Sequence, residues 1–199
     1  MNQQFINAIR KRRSHYSLGR NVNLSNDDIR ALITDVMKNT PSAFHSQSSR
    51  AVILFGNESV EFWRLIELEL RKLVPAENFK PTEDKMKSFA AGVGTILFFE
   101  DQDVVNQLQE QFPLYAENFP TWSEHANGMA QFSVWTALAN ANIGASLQHY
   151  NPFADATIAK RWNIPSNWLL RAQMPFGSIE GDAQEKTFIQ DEERVKVFA

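Results

Sequence analysis

The sequence predicts an α+β protein of three layers, a sheet between helices. Two observations carry this. Short, β-prone apolar runs are separated by segments whose apolar residues recur every three or four positions, with such segments before and after. One segment, from Ser123 to about 142, is apolar around most of its circumference, so it is expected to be buried on most sides, at a centre or a subunit contact. No linker, repeat or low-complexity stretch interrupts the chain, and one domain is expected over 1–199.

The elements follow in order. Phe5, Ile6 and Ile9 mark a short helix over about 2–13. Ser25 with Asp28 forms a capping-box pattern. It opens a helix whose apolar face is Ile29, Leu32, Ile33, Val36 and Met37. Residues 40–49 are a polar loop, and 50–55 a strand closed by Gly56-Asn57. Phe62, Trp63, Ile66, Leu70 and Leu73 make a third helix, stopped by Pro75, and a short one covers 82–91. Gly92 and Gly94 precede a buried strand at 95–99. Asp101 caps a helix bearing Val104, Val105 and Leu108. Pro113 and Pro120 bracket an aromatic stretch containing Tyr115 and Phe119, with Phe112 and Trp122 beside it. That stretch suits either core packing or a lid over a planar ligand. After the long helix come a strand at 146–150, a turn at Asn151-Pro152, a helix around Ile158 and Trp162, a strand at 168–176 and a loop to 183. The alternating tail 194–198 is expected to pair as a strand.

Composition excludes several classes. No cysteine is present, which removes disulfide scaffolds, thiolate metal sites and cysteine nucleophiles. The histidines at 15, 45, 125 and 149 form no HxxxH or HxH pair, so no metal site is expected. There is no P-loop, GxGxxG or GxSxG. The early basic run is not followed by a continuous apolar stretch, and no membrane span is present. The expected location is therefore cytoplasmic, with no membrane partner. Net charge is −3, yet residues 1–50 carry eight Lys/Arg against three Asp. A basic cluster in an acidic chain fits a small anion better than a long polyanion, and no nucleic-acid partner is expected. A solvated helix end remains the alternative for Arg10 to Arg13.

Four segments carry a resemblance. They are Arg12-Arg13-Ser14-His15-Tyr16; Pro41-Ser42-Ala43-Phe44-His45-Ser46-Gln47-Ser48-Ser49-Arg50; Gly144 through Gln148-His149-Tyr150-Asn151-Pro152; and Ala172-Gln173-Met174-Pro175 with Lys186 and Arg194 further on. In this order and spacing the whole chain resembles the FMN-dependent nitroreductase family. It is most similar to the branch of small fungal and bacterial members named after fatty-acid repression mutants, which includes copper-induced bacterial nitroreductases.

The resemblance implies a mostly antiparallel sheet, an intertwined homodimer and one FMN in each of two sites at the interface. It assigns Arg12, Arg13 and Ser14 to the FMN phosphate, with Lys186 and Arg194 returning to it. It places Ser42, His45 and Gln47 along the ribityl chain and pyrimidine edge. It puts main-chain amides of Gln148, His149, Tyr150 and Asn151 near the reactive edge of the ring, and the aromatic stretch 112–122 over the flavin as a cap. The implied activity is NAD(P)H-dependent reduction of a nitroaromatic, quinone or similar small acceptor by ping-pong hydride transfer. No catalytic side chain is implied. His149 as a proton donor is the less favoured role, and a non-enzymatic FMN-binding redox sensor is the rival function.

Overall fold

A computed structural model describes residues 3–198. Its centre is β3, Gly94–Asp101, buried along its whole length. β3 pairs antiparallel with β2, Ser49–Phe55, on one side and with the long β5, Trp168–Ile179, on the other. β1, Leu18–Gly19, and β4, Gly144–Ala145, add short antiparallel pairs to the far end of β5.

Period-two alternation divides the side chains of β3 between two cores. Ile96 and Phe98 join Ala172, Met174 and Phe176 under α2, Asn26–Asn39, and α6, Phe119–Asn140. Leu97 and Phe99 join Leu170 in a second cluster. Most of its other members come from α3, Asn57–Leu70, α4, Lys80–Ala90, and α7, Asp155–Trp162, with Leu54 of β2. Helices cover both faces, which is the three-layer arrangement expected. The capping box also forms: the Asp28 amide donates to Ser25 Oγ at 3.1 Å and the Ser25 amide donates to Asp28 Oδ2 at 3.1 Å.

Three expectations need correction, and a fourth is met only in part by one chain. The residues 146–150 are no strand. Gly144–Ala145 pairs with β5, and thereafter only Gln148 bridges to Gln173, because the chain turns away. The tail 194–198 finds no strand partner among the described residues either. Asp191–Arg194 is a helical turn, α8, and Val195 to Phe198 are exposed. The start of the expected loop after 176 extends β5 to Ile179 and receives β1, a pairing too short to show in sequence. Finally, α6 is not covered on all sides within one chain. Val134 and Leu138 face the core, while Met129 and Phe132 stay exposed beside Phe5 of α1, Gln4–Lys11.

Candidate functional site

The basic group is assembled at the edge of the sheet. α1 ends as Arg12 turns to an extended conformation. Ser14 then bridges to Ala145, and the His15 amide donates to the Ala145 carbonyl at 2.9 Å. The close approach depends on small residues. A Cβ at Gly144 would lie 3.1 Å from that of His15 and 2.8 Å from Ile179, and one at Gly177 would strike the Gly19 carbonyl. On this edge Arg13 donates to the carbonyl of Gln184, which brings the distant segment carrying Lys186 alongside. Burial, and then Arg13, push Arg12 below the ordinary guanidinium range. Lys186 is lowered by desolvation and then by Arg12 and Arg13. Among the described residues, none of these three cations is in a salt bridge. The structure therefore brings Arg12, Arg13, Ser14 and Lys186 together. Arg194 closes α8 as an exposed residue, and no hydrogen bond or ion pair joins it to the group.

The second group is the loop after α2. Phe44, His45 and Gln47 all have φ near +50°, a left-handed conformation costly for side chains of this size. Two local bonds hold it: the Gln47 amide donates to Ser42 Oγ at 2.9 Å, and Arg50 Nη1 donates to the Gln47 carbonyl. Arg50 is itself fixed by Asp101 at 2.9 Å. Ser42, Gln47 and Arg50 line a cleft of about 350 Å³ between α2 and α6. His45 stands exposed at the loop's crest. Behind the cleft the fully buried Glu100 accepts from Ser49 Oγ and from Asn127 Nδ2 at 2.8 Å, stiffening the wall that Ser49 contributes.

The third group is the turn 148–151, and its organiser is Gln173 of β5. The buried Gln173 exchanges both backbone bonds with Gln148, at 2.7 and 2.9 Å. Its Oε1 accepts from the Tyr150 amide at 2.7 Å, and its Nε2 donates to Asn151 Oδ1 at 3.2 Å. Two of the four expected amides, those of Gln148 and Tyr150, are therefore committed inside the protein. The His149 and Asn151 amides make no bond within the described residues. The ring of Tyr150 packs against Trp63 and Phe89 in the second core, and burial raises its phenol. The side chain of His149 is exposed.

The aromatic stretch folds as a short 3₁₀ segment, Pro113–Asn118, running into α6. Phe44 sits at its hub, within 4.8 Å of the Phe112 ring, 5.3 Å of Phe119 and 6.0 Å of Trp122, nearly parallel to the last. Phe44 and Trp122 share an apolar cleft with Ala43, His125 and Met129. Ring cluster and strained loop are thus one unit.

Phe44, Arg50 and Gln173 were not among the expected site residues. All three lie inside the segments that carry the resemblance. A polar residue at a buried register of an otherwise apolar strand was the available signal for Gln173. The wall of the α2–α6 cleft includes Ser42 and Gln47 but not Arg12, Ser14 or the 148–151 turn.

The chain and its fold resemble known proteins. The model of the nitroreductase family matches residues 9–178. Nitroreductase CinD from Lactococcus lactis, solved in complex with chloramphenicol, is 45% identical, with a TM-score of 0.91 over 98% of this chain and 100% of that one. Its complex with 4-nitrophenol superposes with a TM-score of 0.90 at 46% identity, with the same coverage. Nitroreductase FRM2 of Saccharomyces cerevisiae is 33% identical over 189 residues, 94% of each chain. On the matched span and these identities, the chain belongs to the nitroreductase family.

Proposed function

We propose that this protein is an FMN-dependent NAD(P)H oxidoreductase that reduces nitroaromatics, quinones or similar small acceptors. The observation that carries the proposal is the group of Arg12, Arg13 and Lys186, cations gathered at one sheet edge with no salt bridge among the described residues. Like charges are gathered at a cost that a phosphate dianion reverses, and Arg with Ser supplies the bidentate and hydroxyl donors it prefers. The residues present therefore fit FMN. Held there by Arg12, Arg13, Ser14 and Lys186, FMN would supply two-electron hydride chemistry at N5 between NAD(P)H and the acceptor.

The chain's own residues bind and orient. Arg12, Arg13, Ser14 and Lys186 hold the phosphate. Ser42 and Gln47 flank the ribityl chain and pyrimidine edge, with Arg50 fixing their loop. The His149 and Asn151 amides offer donors at the ring edge, where they favour the reduced, more negative form. Phe44 and the rings of 112–122 exclude water and present flat apolar faces to an aromatic acceptor. CinD in complex with chloramphenicol and with 4-nitrophenol supports that acceptor class. With acceptor and NAD(P)H using the same cleft in turn, initial-rate plots at several fixed acceptor concentrations will be parallel. Intersecting lines would show that both bind at once and would overturn the shared cleft.

The site is completed by a second copy. Within one chain the cleft lined by Ser42 and Gln47 does not include the cation group, while an apolar groove of about 650 Å³ between α1, α2 and α6 lies open. Phe5 is 66% exposed there, and at the tail Phe198 is 93% exposed. A groove and an arm with these faces suit an isologous exchange between two copies. Light scattering on the eluted protein will give about twice 22.8 kDa. A monomer that retains flavin would contradict the shared site.

A further inference from the structure

We infer that Trp135 is a positioning residue for the anion site, acting through Arg12. The inference rests on the phosphate-site reading above. Trp135 lies on α6, and the guanidinium carbon of Arg12 is 4.2 Å from the centre of its ring. Arg12 is the first residue beyond α1, in extended conformation, and a side chain at such a boundary has many rotamers to choose from. Among the described residues no carboxylate holds it, and its neighbour Arg13 repels it. The indole face is what holds it in place. Indole is the strongest of the aromatic partners for a cation, and a stacked guanidinium keeps its N–H edge free for an anion.

A second observation separates this role from simple core packing. The Trp135 indole N–H is buried and has no acceptor among the described residues. A buried, unpaired donor is destabilising, and Phe would avoid the cost while still packing against the first core. Stability alone therefore does not favour Trp here. The strength of the ring's contact with Arg12 does.

The test uses the full chain stripped of flavin and titrated separately with FMN and riboflavin, which lacks the phosphate. Trp135→Leu is expected to weaken FMN about three- to tenfold and leave riboflavin unchanged. Trp135→Met fills the volume without an aromatic face and is expected to do the same, so a folding failure in the Leu variant leaves the test intact. Trp135→Phe is expected to bind FMN more weakly than the parent and more tightly than Trp135→Met, while unfolding at no lower a temperature than the parent. Arg12→Ala combined with Trp135→Met is expected to bind FMN as Arg12→Ala alone does, because the ring acts through the guanidinium. Equal losses for FMN and riboflavin, or losses that add to that of Arg12→Ala, would overturn the inference. If Arg12→Ala itself fails to separate FMN from riboflavin, the phosphate-site reading is wrong. If it separates them and the Trp135 variants do not, only the role of Trp135 falls.

Discussion

Replacing Arg12 with Ala will weaken FMN about ten- to a hundredfold and leave riboflavin nearly untouched. Removal of one charge-assisted contact to a phosphate costs roughly 1.5–3 kcal/mol. The half-buried position of Arg12 on Trp135 favours the upper part of that range, because desolvated charge is screened less. Arg13→Ala should fall in the lower part, since one of its donors is already spent on the Gln184 carbonyl. Raising salt will narrow the difference between FMN and riboflavin in the parent, as screening weakens an exposed contribution from Lys186 first. Titration by flavin fluorescence reads all of these. Equal weakening of both flavins by Arg12→Ala would mean that the residue supports the fold and not the phosphate.

Gln173→Leu will produce the opposite pattern. The substitution keeps the backbone exchange with Gln148 and removes both side-chain bonds, to the Tyr150 amide and to Asn151 Oδ1. The Tyr150 amide is then left without its acceptor beside an apolar side chain, at a cost of about 1–3 kcal/mol, with about 1 kcal/mol more for the lost contact to Asn151. The expected loss of stability is thus about 2–4 kcal/mol, read as a shift in the urea midpoint at unchanged slope. Because the turn serves the ring and not the phosphate, FMN and riboflavin should weaken together. A variant as stable as the parent would show that the turn holds itself. A loss confined to FMN would place the turn at the wrong end of the cofactor.

These two residues also mark what sequence could and could not reveal. The helix from Asn26 was legible because its cap and its apolar spacing are local, and both appear as expected. Arg12 to Ser14 stood out as a motif, but their proximity to Lys186 depends on the edge pairing of two-residue strands that leave no periodic signal. The 146–150 run has strand-like composition, yet Gln173 draws its end into a turn by side-chain bonds that only tertiary structure supplies. The tail alternates as a strand does but finds no strand partner among the described residues. Likewise the apolar circumference of α6 signalled burial on more sides than one chain provides. Phe44 was hidden because its importance comes from left-handed backbone that carries its ring into the 112–122 cluster.

The anaerobic reductive half-reaction tests the central claim most directly. With purified protein and no acceptor present, one equivalent of NAD(P)H should bleach the visible absorbance band of the bound flavin within the time of a turnover. Addition of a nitroaromatic or quinone alone should then restore it. Purified protein without a flavin band that takes up no added FMN, or bound flavin that NAD(P)H leaves oxidised over minutes, would contradict the account. The second outcome would point to a flavin-binding sensor in place of an enzyme.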